Sequence, residues 1–185
     1  MSTQQPPYDL SYHFDSDLRD IPNSPQEMGA YVGSLEAQLL DNPPTDVRLR
    51  LLGTIGVYAR MLGDLDKAEQ SLLAALTIAS PATNPHSHLA NSLRLAHVYQ
   101  WQRRFTEADA IFIDSIARCR ANPDLHSYLD FAYQHYGKSL FDQGRFADAE
   151  RAFNSALVLR QDKGDAILAE STRYALETTR SWLGK

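Results

Sequence analysis

Apolar residues recur along most of this chain at spacings of three and four, broken at intervals by short polar or proline-containing stretches. That period marks helices that each bury one face. The first begins at Ser24-Pro25-Gln26-Glu27, where serine caps, proline occupies the first turn and glutamate completes a capping box. Met28, Val32, Leu35 and Leu39 form its apolar stripe, and it is expected to run to Asp41 before Pro43-Pro44 ends it. Further helices are expected over 45–62, 65–79, 86–102, 105–121, 124–143, 146–161 and 165–183, with a loop from Pro81 to Pro85 and a cap at Asn122-Pro123. Residues 1–23, with Pro6-Pro7, Pro22 and scattered aspartates, show no clean period and read as an irregular arm.

The helical pattern also repeats as a block. Gly63-Asp-Leu-Asp-Lys-Ala-Glu69, Arg103-Arg-Phe-Thr-Glu-Ala-Asp109 and Gly144-Arg-Phe-Ala-Asp-Ala-Glu150 are variants of one phrase. Their alanines Ala68, Ala108 and Ala149 lie 40 and 41 residues apart. A period in this range predicts stacked copies of a small unit, and stacked units usually serve to hold something. Upstream of each alanine is a large residue followed by a small one: Ile55-Gly56, Leu95-Ala96 and Tyr136-Gly137. Downstream come Leu72, Phe112 and Phe153, then Ala75, Ser115 and Ala156. Each copy therefore reads as two helices, A then B, joined by a tight turn at Gly63, Arg103 or Gly144, where glycine suits a left-handed helix end. The small residues are expected to let the two helices approach closely. The same reading is given to Gly29, Gly33, Gly53 and Gly56 inside helical patterns. The last helix carries Tyr174-Ala175 and repeats the A pattern as a cap over the final apolar face.

With these residues the chain resembles the tetratricopeptide repeat proteins. Its period near 40 resembles the longer variant of kinesin light chains rather than the usual repeat of about 34 residues. The second copy reads Ser92-Leu93-Arg94-Leu95-Ala96-His97-Val98-Tyr99, and its leucine, alanine and tyrosine match that variant, while Leu93 and Arg94 stand where the variant has asparagines. The resemblance implies an all-α fold: a right-handed superhelical solenoid of helix-turn-helix repeats. The expected organisation is an acidic arm over 1–23, a capping helix over 24–44 and a repeat domain over 45–183. That domain holds pairs at 45–82, 85–122 and 123–162 and a C-terminal capping helix at 165–183. It also implies that the A helices line a concave groove. The family's groove positions fall on Thr54, Val57, Arg60 and Met61, then on Leu93, Arg94, His97, Gln100 and Trp101. In the later A helices they fall on Gln134, His135, Lys138 and Phe141, and on Thr172, Arg173 and Arg180. That set holds no acid. Arg60, Arg94, His97, Trp101, His135, Lys138, Phe141 and Arg173 are therefore the candidate peptide-binding residues, with arginines to pair carboxylates and aromatics to anchor apolar side chains.

Composition narrows the classes. An apolar fraction of 43% is ordinary for a folded chain. No apolar run approaches the roughly 20 residues of a membrane helix, and the first residues lack a basic stretch followed by an apolar one, so neither membrane nor leader is expected. Net charge is −5, and residues 1–44 account for more than all of it, with seven acids against Arg19 alone, so the repeats are close to neutral. Nucleic acid is thus not an expected partner. Cys119 is the single cysteine, expected as a small, partly buried apolar residue in a reducing, cytoplasmic setting. His86-Ser87-His88 lacks a third ligand nearby in sequence, so no metal site, cofactor or catalytic grouping is expected.

The function expected is non-catalytic binding of an acidic or carboxylate-bearing peptide or protein. The alternative is a self-assembling scaffold or adaptor that uses the terminal helices, with Trp182 and Leu183, or the convex face. The acidic, aromatic stretch Tyr8–Asp20 admits two readings. It is a disordered tail, or it lies as a pseudo-ligand in its own groove or a neighbour's.

Overall fold

The computed structural model describes residues 8–183; residues 1–7 of the expected arm lie outside the described residues. The chain forms two compact units, one ending at Ile78 and the next beginning at Ala79. The arm and the helix expected over 24–44 fall in the first unit and pack on its first helix pair.

The first unit holds β1 (Tyr12–Phe14), β2 (Asp20–Pro22), α1 (Pro25–Leu40), α2 (Thr45–Met61) and α3 (Leu65–Ile78). The arm expected to be irregular is thus a short antiparallel hairpin, with His13 opposite Ile21. The Asp15 carboxylate organises its loop by accepting from the amides of Asp17 and Arg19 at 2.9 and 2.8 Å. Leu18 takes a φ of 59° in that loop and is buried at 1% exposure. The loop therefore contributes an apolar anchor. Val32 and Leu35 of α1 join Leu51 and Ile55 of α2 in a core flanked by Tyr31, Leu39, Val47, Tyr58 and Leu62. The expected capping box does not form. Ser24 makes no side-chain cap bond, and Glu27 instead accepts the amide of Asp9, 2.5 Å away in the arm.

The second unit holds α4 (Pro85–Trp101), α5 (Phe105–Ala121), α6 (Leu129–Asp142), α7 (Phe146–Asp162) and α8 (Ala166–Leu183). Residues Pro123–Tyr128, expected as the start of an A helix, form a 3-10 turn instead. Pro123 brings no amide to an α-type ladder, Asn122 accepts from the Asp124 amide, and Leu125 bonds back to the Asn122 carbonyl at 3.0 Å. Each helix packs on the next, and the A helices α4, α6 and α8 also touch in order, the layout of a helical-repeat solenoid.

The turns obey one rule. Gly63, Arg103, Gly144 and Gly164 have φ of 81°, 61°, 72° and 71°. The amide that follows each bonds back to Ala59, Tyr99, Leu140 or Arg160 at 2.9 to 3.0 Å, closing a Schellman motif. Close approach of A and B is equally specific. A Cβ on Gly56 would meet Leu72 at 2.4 Å, and one on Gly137 would meet Phe153 at 2.6 Å. Gly29 and Gly33 differ: nothing lies within 4 Å of an added Cβ, so the close-packing expectation fails for these two.

A and B helices are buried differently. On α7 the buried residues are Ala149, Ala152, Phe153, Ala156 and Arg160, one stripe of the helix. On α6 burial extends to Asp130, Gln134, Lys138 and Ser139 as well as the apolar residues. A helix sandwiched between neighbours on two sides has to enclose polar groups, and these need partners inside.

Candidate functional site

The A-helix face is where the expected binding residues belong, and the structure sorts them. His97, Trp101 and His135 come together: the His97 ring lies 4.5 Å from that of His135 and 6.2 Å edge-on from that of Trp101. Arg94 is exposed one turn before His97 and donates to Asn91 at 3.0 Å. Arg94, His97 and Trp101 lie on α4 and His135 on α6.

The others depart from an open basic groove. His97 itself and Lys138 are buried at 3% exposure, and Phe141 at 7%. Phe141 packs on Phe146 at 5.3 Å and on Trp182 at 6.4 Å, so it is core between α6, α7 and α8 and not an anchor for a ligand. Arg173 lies on the terminal helix beside Ile167 and Tyr174 and pairs with Glu170 at 2.8 Å. Arg60 belongs to the first unit and is buried at 4% exposure.

Arg60 has an occupant. Its guanidinium donates to the Asp20 carboxylate at 2.6 Å, and Asp20 is itself buried at 4%. The acidic arm therefore reaches the A helix of its own unit. The arm makes a second contact with its unit, where Tyr8 stacks at a tilt on Tyr31, whose ring meets Tyr58 edge-on, each at 5.5 Å. Sequence reading paired the arm with the groove as one of two alternatives but did not single out Asp20. The only signal was charge: an acid-rich arm and an acid-free set of A positions.

That set also missed its own neighbour. Asp142, one turn beyond Lys138, accepts from Gln100 at 2.9 Å, so the A face of the second unit carries a carboxylate. Gln134 accepts from Thr172 at 3.0 Å. Gln100 Oε1 and Gln134 Nε2 are buried without a hydrogen-bond partner among the described residues.

Other candidates resolve into structure. His88 lies 3.3 Å from Arg118 and 3.4 Å from the Ser92 hydroxyl, and burial together with that guanidinium holds its imidazole below the usual histidine range. His86 sits against the Tyr128 ring at 5.9 Å. Cys119 is free and buried, and burial pushes its thiol up. Among the described residues no group of three or more His, Cys, Asp or Glu side chains is placed to hold a metal ion, and no helix is long and apolar enough to cross a membrane.

Comparison with known proteins agrees with this architecture. Residues 87–162 match the tetratricopeptide repeat model. A solved structure, BtubC (BKLC) from P. vanneervenii, is similar with a TM-score of 0.62 and 17% identity, covering 76% of this chain. The chain spans 58% of the length of that protein. At this identity the likeness concerns the fold. No curated protein matches the chain by sequence. The chain is thus tetratricopeptide-repeat-like and all-α in its repeats, and repeats of this kind generally mediate protein–protein interaction.

Proposed function

With tetratricopeptide repeats over residues 87–162 as the premise, we propose that the chain is a non-catalytic module that holds an acidic segment of a partner protein against its A helices. The observation that carries this reading is the Asp20–Arg60 pair at 2.6 Å. The arm is an in-chain example of the contact: an acidic, aromatic strand seated on an A helix through one carboxylate, with Leu18 buried beside it. In the second unit, Arg94 offers the charge. Half-buried Trp101 and His135 offer a wall for an apolar side chain. An exposed ion pair contributes about 0–1 kcal/mol and an aromatic anchor more, so binding of moderate strength is expected.

The test is selection from a displayed peptide library against the full chain. Enrichment of Asp or Glu next to an aromatic residue, lost with Arg94→Glu at unchanged helix content, is the expected result. Enrichment with no acidic bias, or one indifferent to Arg94, sinks the acidic-peptide reading.

A second reading is favoured by α8. Ile167 is 83% exposed and Tyr174, Trp182 and Leu183 are more than 40% exposed on this helix, which suits stacking on another copy. A molar mass that stays monomeric across a wide concentration range in sedimentation velocity would remove it.

A further inference from the structure

Away from the A face, Arg120, Arg145 and Arg151 border a cleft of about 300 Å³ in the second unit. Tyr133 and Tyr136 line it, with Leu140 and Ala152 adding apolar wall. By helical spacing, Tyr133, Tyr136 and Leu140 occupy a different face of α6 from Gln134, Lys138 and Phe141. The cleft is therefore separate from the site above and independent of its reading.

Its charges are out of balance. Asp148 is the one carboxylate in the lining among the described residues; it pairs with Arg145 at 2.9 Å and also with Arg151. Asp109 reaches Arg145 from behind at 3.2 Å. Arg120 meets no acid among the described residues: it donates to the Tyr133 hydroxyl and lies over that ring, 5.6 Å from its centre. Three guanidiniums thus face two carboxylates. All three are exposed, but Arg145 is held between Asp109 and Asp148, which leaves Arg120 and Arg151 less fully neutralised. Burial pushes the Tyr136 phenol up, and Asp109 adds to this, so the hydroxyl keeps its proton and remains a donor.

We propose that this cleft binds a phosphorylated aromatic side chain, a phosphotyrosine presented by a partner protein. A ligand carboxylate carries the same single charge as Asp148 and has no advantage over an acid already tethered in place. A phosphate monoester carries up to two charges and three acceptor oxygens, enough to bridge Arg120, Arg151 and a tyrosine hydroxyl at once. The volume exceeds what a phosphate group fills. Two tyrosine rings, Leu140 and Ala152 give an aryl group apolar contact, and the arginines can stack on it.

The test uses N-acetyl-phosphotyrosine amide, titrated into the full chain at low ionic strength and followed by NMR. Inorganic phosphate, N-acetyl-tyrosine amide and N-acetyl-glutamate amide are the comparison probes. The phosphotyrosine probe should shift the Tyr133 and Tyr136 resonances and bind more tightly than each of the other three. Arg120→Gln with Arg151→Gln should weaken it roughly tenfold or more. Asp148→Asn should tighten it about threefold, because the competing carboxylate is gone. Circular dichroism of the variants guards against loss of fold; both arginines are exposed, so their helix content should be unchanged. Equal binding of inorganic phosphate or of the glutamate probe overturns the proposal, as does affinity unchanged by the arginine substitutions.

Discussion

Arg60 and Arg160 are buried to a similar degree, and each ends on an aspartate, yet the two pairs have different consequences. In the second unit, Arg160 of α7 donates to Asp130 of α6 at 3.1 Å. Its other arm bonds the Leu168 carbonyl and the Ser171 and Thr172 hydroxyls of α8 at 3.0, 3.3 and 2.6 Å. Lys163 adds a second cation to Asp130. This network fastens three helices whose apolar faces are already committed, so neither charge can reach water without undoing the repeat. In the first unit, Asp20 belongs to a hairpin of three-residue strands. If the hairpin lifts, Arg60 regains water and the helices stay packed. Burial alone does not separate a fixed brace from a releasable clasp; what the partner is attached to does.

The sharpest way to break the comparison is to remove one aspartate from each unit. Asp130→Ala leaves Arg160 buried without its carboxylate, and a broken buried pair costs about 3–5 kcal/mol. Both tryptophans, Trp101 and Trp182, lie in the second unit, so urea unfolding followed by their fluorescence reads this loss directly. Asp20→Ala should cost less, about 1–3 kcal/mol, because undocking of the arm caps the penalty. Hydrogen exchange should show the amides of 12–22 losing protection while those of α2 and α3 keep theirs. Deleting residues 1–23 should destabilise the first unit at least as much as Asp20→Ala, since it also removes Leu18. If Asp20→Ala instead unfolds α2 and α3, the pair is a brace and the comparison fails.

The helices were legible because their spacing is a local property, repeated often enough to read. The 40- and 41-residue intervals fixed the turns, and a single rule of positive φ accommodates even Arg103. Gly56 and Gly137 were legible as contact points because Leu72 and Phe153 recur at matching places in the B helices. The hairpin was not, since three residues are too few for alternation to register against Pro22 and a run of aspartates. The candidate site was legible only in part. Spacing separates a core stripe from everything else, and it treats everything else as open. On an A helix gripped from two sides that inference fails, which is why Lys138 and His97 turn out buried and Phe141 turns out to be core. Asp20 was hidden by distance: 40 residues separate it from Arg60, and sequence charge balance cannot say which acid finds which base.

A smaller effect sharpens the comparison by titration. His88 of α4 faces Arg118 of α5, and Arg118 in turn pairs loosely with Asp114 at 3.7 Å. Burial and the Arg118 charge lower the imidazole below its usual value near 6.5. Between that value and the lowered one the unfolded chain binds more protons than the folded one, so stability rises with pH there. The second unit should accordingly lose stability as pH falls below about 6.5, with the whole of this contribution expressed once the folded histidine protonates. His88→Gln keeps a polar side chain and removes the titration. The difference in urea midpoint between pH 7.5 and pH 5.5, read by tryptophan fluorescence, should therefore be smaller in His88→Gln than in the native chain. An identical difference in both would mean that the acid response of this unit comes from groups other than His88.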